Sequence, residues 1–441
     1  MSERSVRRPP APPARDLSAL AEPAIRIGGH VVDVSAQSFR VAGLSPFVRL
    51  GDCVECEGPD GLRELGEVVR VEEHAATVKP FAATLRSGVR SRAWRAAPLT
   101  LSPDETWKGR VVNGFGEPCD DRGPLGRGPV ARPVERGAEA AMRRGRINQR
   151  APTGVKAVDI FTPLVRGQRM GIFAGSGVGK STLMGMLARA EGFDTVVVAL
   201  VGERGREVRE FLEETMQGAL GRVVTVVATG DESAMMRRLA PRTAMTVAEH
   251  FRDAGEHVLL IVDSVTRLAH AARDVALAAG EPPVSRGYPP SVFSELPRFL
   301  ERAGPGLEGS GTITGLFAVL VDGDDHNEPI SDAIRGTLDG HIVLDRAIAA
   351  EGRFPAIDVL GSISRLADLA WSAEERELVS RLRAMVSRFE DTRDLRLLGG
   401  YKRGADATLD QAVDLVPHVY GALMQHPHDE AAPKPFDELS R

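Results

Sequence analysis

The sequence of 441 residues has few cysteines, few aromatic residues and no long apolar run. Three cysteines are too few for a disulfide framework, and Cys53 and Cys56 form a single CxxC motif without a second pair. On a β-strand, residues three positions apart point to opposite faces, which suits neither metal binding nor redox pairing. We therefore expect structural cysteines in a reducing compartment, and this indicates the cytoplasm.

The composition also argues against several classes of protein. No run approaches the roughly 18 apolar residues that a membrane span needs, and we recognise no secretory signal. Hydrophobic residues make up 42% of the chain and charged residues 27%, as in soluble globular proteins. A formal net charge of −5 argues against extensive nucleic-acid binding. The length allows two or three domains.

One glycine-rich stretch is highly specific: residues 170–183, MGIFAGSGVGKSTL. A buried strand, a glycine loop, Lys-Ser and a helix follow one another as in the phosphate-binding loop (P-loop) of nucleotide hydrolases. The first consensus glycine is replaced by Ala174, at the strand end, where we expect a methyl group to be tolerated. A glycine-rich turn with a chance lysine is the weaker alternative. The predicted nucleotide-binding residues are Gly175, Ser176, Gly177, Val178, Gly179, Lys180, Ser181 and Thr182.

The chemistry of this loop follows from its backbone and its charged residues. The glycines let successive N–H groups turn towards phosphates, and the amino end of the next helix adds partial positive charge. Lys180 is expected to reach the β- and γ-phosphates, and the Ser181 hydroxyl to ligate Mg²⁺. The predicted cofactors are therefore ATP and Mg²⁺.

Two further acids follow apolar strands. The run HVLLIVD ends in Asp263, which we expect to hold a Mg²⁺-bound water. The segment GERGRE places Glu203 after another strand, where a carboxylate can polarise the water that attacks the γ-phosphate. Arg204 would then contact phosphate or a neighbouring subunit. The alternative for this segment is a surface cluster of salt bridges.

The chain divides into four predicted regions. Residues 1–24 are rich in proline, alanine and arginine and form a tail that is either inert or docks a partner. Residues 25–95 alternate in short segments between turns, which predicts a small β-barrel. Residues 96–365 form an α/β domain, and residues 366–441 a helical C-terminal domain. Continuous apolar strands separated by helices predict a parallel sheet buried on both faces; these strands are 169–174, 195–201, 222–228, 257–263 and 312–321.

Several motifs together resemble one family, the type III protein-export ATPases, which are relatives of the catalytic β subunit of rotary ATP synthases. The motifs are GSGVGKST, GERGREV, LLIVDSVTRLA, EPPVSRGYPPSVFSELP, GDDHNEPISD and FPAIDVLGSISR. The resemblance runs from about Ile25 to Met424 and is closer to the flagellar than to the injectisome branch. It implies an α/β fold: a RecA-like P-loop NTPase core with a parallel sheet, an N-terminal β-barrel and a C-terminal helical domain.

The resemblance also implies roles for individual residues. Arg365 matches the arginine finger that reaches the nucleotide of the adjacent subunit; the alternative is an arginine with a local salt bridge. Phe354 matches the aromatic residue that packs on adenine, with Tyr401 as the opposite wall. Arg267 is expected to line the site through contacts with Glu203.

Partners are likewise implied by the resemblance alone. We expect a homohexamer around a central coiled-coil stalk protein, which Asp324, Asp325 and Asn327 would face. A regulatory or stator protein would dock the N-terminal tail. Further partners are the export apparatus, chaperones and exported proteins, but not nucleic acid. The protein would be cytoplasmic, with recruitment to the inner face of the membrane at the export gate.

The sequence leaves competing functions open. An injectisome export ATPase shares the same motifs, and a catalytic subunit of a rotary ATP synthase or proton pump would need a non-catalytic partner subunit. A hexameric RNA helicase of the transcription-termination type also joins a small barrel to a RecA core. It would need aromatic residues flanked by basic residues in the barrel, which this barrel lacks. Glu203 argues against a non-enzymatic nucleotide-binding scaffold.

Overall fold

The computed structural model describes residues 26–216, 219–321, 328–429, 431–432 and 434–439. The predicted N-terminal tail and the residues predicted to face a stalk, Asp324, Asp325 and Asn327, lie outside the described residues. The described chain forms two compact units. The first contains residues 26–78 with Arg86–Ala96, and the second contains Lys79–Leu85 with the described residues from Ala97 onward.

The first unit is a closed antiparallel barrel with the strand order β1-β2-β5-β4-β3-β6. Apolar side chains such as Phe39, Val41 and Val54 are almost fully buried inside it. Cys53 and Cys56 are buried and free, as expected of structural cysteines. The predicted barrel is confirmed. Its strands are β1 (Gly28–Val34), β2 (Phe39–Ala42), β3 (Cys53–Glu57), β4 (Arg63–Val71), β5 (Ala75–Pro80) and β6 (Arg92–Arg95).

The second unit is built on a nine-stranded sheet with a central parallel region. The remaining strands are β7 (Thr100–Leu101), β8 (Val111–Val112), β9 (Arg132–Pro133), β10 (Arg150–Ala151), β11 (Leu164–Val165), β12 (Arg169–Ala174), β13 (Thr195–Val201), β14 (Val223–Ala228), β15 (His257–Asp263), β16 (Gly304–Pro305), β17 (Thr312–Leu320), β18 (Gly340–Leu344) and β19 (Ile363–Ser364). Within the sheet, the order is β19-β18-β12-β17-β15-β13-β14-β8, with β16 paired to β17. The strands from β18 to β8 are parallel to their neighbours, whereas β19 is antiparallel to β18.

Helices cover this sheet and form the C-terminal region. They are α1 (Lys156–Phe161), α2 (Lys180–Ala188), α3 (Gly205–Glu210), α4 (Ala234–Asp253), α5 (Val265–Ala278), α6 (Pro290–Leu300), α7 (Pro329–Thr337), α8 (Arg346–Ala350), α9 (Ala373–Asp391), α10 (Arg393–Leu397), α11 (Ala407–Leu423) and α12 (Pro435–Glu438). Their ends follow from local hydrogen bonding. The Ser372 hydroxyl accepts the Glu375 N–H, and the Glu375 carboxylate accepts the Ser372 N–H, so α9 begins with a capping box.

The C-terminal helices share a hydrophobic core with the sheet. Val379 of α9 and Val416 of α11 belong to the same buried cluster as Ile172 of β12 and Leu316 of β17. Burial of this kind is the main force that holds the helices on the sheet. Along the part of the chain that the structure describes, no helix combines the length and apolar character needed to cross a membrane.

A buried ion pair links two elements of this unit and gives a stability prediction. Arg302 Nε and Nη2 donate to the Glu249 carboxylate at 2.9 and 3.0 Å, and both side chains are almost inaccessible. Removing one partner leaves an uncompensated buried charge, so we expect Glu249→Ala to cost about 3–5 kcal/mol of unfolding free energy. The exposed pair of Arg376 and Asp368 is the matched control, and Asp368→Ala should have a far smaller effect. Urea unfolding at fixed protein concentration measures both; equal, small shifts would contradict the prediction.

Candidate active site

The order of the strands brings three loops together at one edge of the sheet. The P-loop follows β12, Asp263 ends β15, and Glu203 lies two residues beyond the end of β13. Because β13 and β15 are parallel neighbours with Leu200 opposite Asp263, the two acids follow adjacent strand ends. Carboxyl ends of parallel strands meet at one edge, which is where ligands bind in such sheets.

The P-loop is shaped to receive an anion. Gly177 and Gly179 have φ values of 77° and 92°, which side chains with a Cβ rarely adopt. A Cβ on Gly177 would meet no atom within 4 Å, so the loop opens to solvent at this point. Within the described residues, no side chain caps the amino end of α2. Its first N–H groups therefore remain available to a phosphate.

Lys180 and Asp263 meet at the floor of the loop. The Lys180 ammonium donates a hydrogen bond to Asp263 Oδ1, and the Asp263 side chain is only 4% exposed. Ser181, next in the helix, is exposed. The described residues contain no cluster of three histidine, cysteine or acidic side chains able to hold a metal. A carboxylate and a hydroxyl with an open phosphate site nevertheless suit Mg²⁺, which takes its other ligands from water and phosphate.

Glu203 is held in a largely buried, charged environment. Its carboxylate is 3.2 Å from Arg267 Nη2, and a second guanidinium nitrogen of Arg267 donates to the Gly202 carbonyl. The expected contact between Arg267 and Glu203 is therefore present. Burial, the charge of Asp263 and a hydrogen bond to Glu207 raise the pKa of Glu203 to about 7. The pKa of Glu207 is lowered because it accepts that hydrogen bond.

Arg204 and its neighbours form a separate group on the surface. The Arg204 side chain is 85% exposed and lies 3.6 Å from the Glu207 carboxylate. Arg206 and Glu210 form a similar exposed pair one turn later. The surface cluster considered as an alternative thus exists, but Glu203 itself is turned inward beside Arg267. The role assigned to Arg204 stays a prediction.

Phe354, which the resemblance assigns to the adenine ring, lies beside the P-loop. A Cβ on Gly179 would be 3.9 Å from its ring, and Phe354 as a whole is 44% exposed. Among described residues, the aromatic side chain that lines a small cavity together with Phe354 is Tyr420, over which Arg353 stacks at 4.0 Å. Tyr401 instead donates a hydrogen bond to Asp410 at 2.5 Å.

Tyr420 is therefore an aromatic neighbour of Phe354 that was not expected from the sequence, and the role of Tyr401 stays a prediction. Helical periodicity could have indicated that Tyr420 faces the rest of the fold. It lies four residues after the buried Val416 on α11, so the two side chains share one face of that helix.

Arg365 lies at the opposite edge of the sheet from the P-loop. Its N–H donates to the Asp339 carbonyl at 2.9 Å, and Asp339 adjoins Arg169 at the start of β12. The P-loop follows the other end of that strand, about 17 Å away at 3.3 Å per residue. The Arg365 side chain is exposed, and no described residue forms an ion pair with it. One chain does not bring Arg365 to its own P-loop.

The fold and this site define a P-loop protein that binds a nucleoside triphosphate. Comparison with family models supports this class. The model of the ATP synthase alpha/beta family, nucleotide-binding domain, matches residues 154–364. That of the T3SS EscN ATPase C-terminal domain matches residues 371–436.

Individual relatives match nearly the whole chain. A flagellum-specific ATP synthase of Agrobacterium fabrum is 57% identical over 94% of this chain and 87% of its own. A type 3 secretion system ATPase of Xanthomonas euvesicatoria is 43% identical over 97% and 93%. The assembled ATPase EscN of the enteropathogenic E. coli type III secretion system is 37% identical, with a TM-score of 0.87 over 93% of this chain and 99% of that chain. A second structure shows EscN with its central stalk EscO, at a TM-score of 0.84 and 36% identity over 93% and 99%.

The chain belongs to the ATP synthase alpha/beta family, in the group of flagellum-specific and type 3 secretion ATPases. This confirms the resemblance, the α/β fold with a RecA-like core, and an ATPase as the class of enzyme. Nucleotide binding follows from the same family membership.

The raised pKa of Glu203 predicts how stability depends on pH without nucleotide. Its ordinary value is 4.5 and its folded value about 7, so between these the folded state holds a proton that the unfolded chain releases. The contribution of Glu203 to the free energy of unfolding is therefore greatest below pH 4.5 and is lost as the pH rises through 7. Glu203→Gln keeps an N–H donor for Glu207 and removes the titration.

The measurement is the urea midpoint of wild type and Glu203→Gln from pH 4.5 to 8. We expect the difference in midpoint to grow with pH in favour of the variant. Glu210→Gln, which alters an exposed carboxylate on α3, is the control and should show no such trend. A pH-independent difference between wild type and Glu203→Gln would contradict the assigned pKa.

Proposed function

We propose that this protein is an Mg²⁺-dependent ATP hydrolase that energises flagellar type III protein export as a homohexamer, with catalytic sites at subunit interfaces. The observation that carries the proposal is the separation of two sets of groups. Lys180, Asp263 and Glu203 meet at one edge of the sheet, and Arg365 is presented at the other.

Binding of the substrate is assigned to the P-loop. Its N–H groups and Lys180 hold the phosphates, while Ser181 and Asp263 hold Mg²⁺ directly or through water. When bound, the metal ion neutralises charge on the phosphate oxygens. Lys180 then exchanges its contact with Asp263 for phosphate. Phe354, partly exposed beside Gly179, offers an aromatic face for the adenine ring.

Glu203 is assigned the role of general base. Its carboxyl group lies beside the Lys180–Asp263 pair, and its raised pKa lets it accept a proton from water near neutral pH. Arg267 holds one carboxylate oxygen at 3.2 Å and so orients the group. The in-line attack of water needs this orientation as much as the proton acceptor.

Arg365 is assigned to the neighbouring subunit. Its own P-loop begins about 17 Å away along β12, which is further than an arginine side chain extends. In a ring, the same side chain would reach the phosphates of the next subunit and stabilise charge there. Arginine fingers contribute about 10³–10⁵ to the rate in other nucleotide hydrolases.

The export function is supported by the relatives. Identity is 57% with a flagellum-specific ATP synthase and 43% with a type 3 secretion ATPase, which favours the flagellar system. The EscN structure with its central stalk supports a stalk protein as a partner of this chain. Docking of the N-terminal tail by a regulatory protein, contacts of Asp324, Asp325 and Asn327 with the stalk, and recruitment to the membrane remain predictions from the resemblance.

The biochemical test is ATP hydrolysis per subunit over a wide range of protein concentration, with native mass measured in parallel. We expect specific activity to rise as the hexamer forms, because each site needs Arg365 of a neighbour. Glu203→Gln and Arg365→Ala should each lower kcat at least 100-fold with little change in assembly. Arg381→Ala, an exposed arginine of α9, is the matched control. Activity that is independent of concentration down to the monomer, with Arg365→Ala unaffected, would refute sites at subunit interfaces.

The cellular test is secretion of flagellar proteins by a strain that lacks this gene. Wild type should restore secretion, whereas Lys180→Ala, expressed at the same level, should not, because it removes the phosphate-binding ammonium. Normal flagellar export without the gene, combined with a defect in injectisome secretion, would assign the protein to the other branch.

A further inference from the structure

Strand β19 ends at Ser364, and Arg365 follows it directly. The Ser364 hydroxyl donates to the Pro163 carbonyl at 3.0 Å and accepts a hydrogen bond from Gln168 Nε2 at 3.0 Å. Successive residues of a strand point to opposite faces. Ser364 makes these internal contacts, whereas the residues on either side of it, Ile363 and Arg365, are exposed.

The Gln168 amide that holds Ser364 is fully buried and makes three contacts. Its Oε1 accepts the Val165 N–H at 3.0 Å, and its Nε2 donates to Ser364 and, at 3.4 Å, to the Asp339 carbonyl. Gln168 is 0% exposed. Loss of one of these hydrogen bonds would leave a buried polar group without a partner, which is energetically costly. The side chains of Gln168 and Ser364 are therefore held in this one arrangement.

Asp339 connects the backbone of Arg365 to the first residue of β12. Its carboxylate accepts the Arg169 N–H at 2.9 Å and is bound at 3.1 Å by both Nε and Nη2 of Arg169. Its own N–H donates to the Arg169 carbonyl, and its carbonyl accepts the Arg365 N–H, both at 2.9 Å. A bidentate arginine–carboxylate pair restricts both distance and angle.

We propose that Gln168, Ser364 and Asp339, the β12 anchor, are positioning residues that hold Arg365 in the orientation needed at the nucleotide of the neighbouring subunit. This inference rests on the proposed function. The first residue of β12 contacts Asp339, which binds the Arg365 backbone, and the P-loop follows the last residue of β12. This strand would therefore connect the nucleotide site of a subunit to the arginine that the same subunit presents to its neighbour.

Ser364→Ala is the main variant, because it removes both hydrogen bonds of the hydroxyl at little cost in volume. We expect kcat to fall about 10- to 100-fold, since small displacements of a group that acts in the transition state have effects of this size. KM for ATP should change less than threefold, because the P-loop is intact. Ser364→Thr keeps a hydroxyl and should recover most of the activity. Ser387→Ala, on the exposed face of α9, is the matched control.

The decisive readout is complementation in mixed rings. Lys180→Ala lacks a working nucleotide site but presents Arg365, whereas Arg365→Ala has the site and lacks the arginine. Mixed and assembled together, these two variants should exceed the mean activity of the separate proteins. Ser364→Ala should gain activity when mixed with Lys180→Ala and should gain none with Arg365→Ala.

The opposite pattern would overturn the inference. If Ser364→Ala gains activity with Arg365→Ala but not with Lys180→Ala, the substitution damages its own nucleotide site. Asp339→Asn gives a second, independent variant with the same expected pattern, and circular dichroism and native mass verify that each variant folds and assembles. If Lys180→Ala and Arg365→Ala fail to complement each other, the proposed function itself fails, because no arginine then acts across the interface.

Discussion

The direction of the parallel strands is the constraint on which the rest of the structure depends. All strands from β18 to β8 run the same way, so their carboxyl ends form one edge and their amino ends the other. The groups of the candidate site gather at the first edge because the P-loop, Asp263 and Glu203 all lie at or just beyond strand ends. Arg365 belongs to the second edge because β19 is antiparallel and ends beside the start of β18. Within one chain, β12 therefore separates Arg365 from the edge where Lys180, Asp263 and Glu203 lie.

The electrostatics of the first edge point to the same ligand. Two carboxyl groups, an ammonium and a guanidinium lie close together with little solvent, and Glu203 responds with a pKa raised to about 7. A phosphate together with a divalent cation would match this set, because the ammonium and guanidinium attract the negative phosphate and the carboxyl groups attract the cation. Each of the two acids has a basic partner in this structure: Lys180 contacts Asp263, and Arg267 contacts Glu203.

The parts predicted from sequence are those with local signals. Continuous apolar runs gave β12, β13, β14, β15 and β17 to within one residue, because strands buried on both faces have no polar face to obscure the pattern. β18 was missed because it is not a continuous apolar run: its buried residues alternate with the partly exposed His341 and Val343. The β12 anchor has no local signal at all: Gln168 and Ser364 are 196 residues apart in the chain, and only the folded sheet brings them together.

The most direct test of shared sites is a structure of the assembled ring with Mg²⁺ and a non-hydrolysable ATP analogue. We predict that the Arg365 guanidinium of one subunit lies within about 3 Å of a γ-phosphate oxygen bound to the P-loop of its neighbour. The hydrogen bonds of Ser364 to Gln168 and Pro163 should persist in that state. An Arg365 side chain that points into solvent, or a nucleotide enclosed by groups of one subunit alone, would contradict the account.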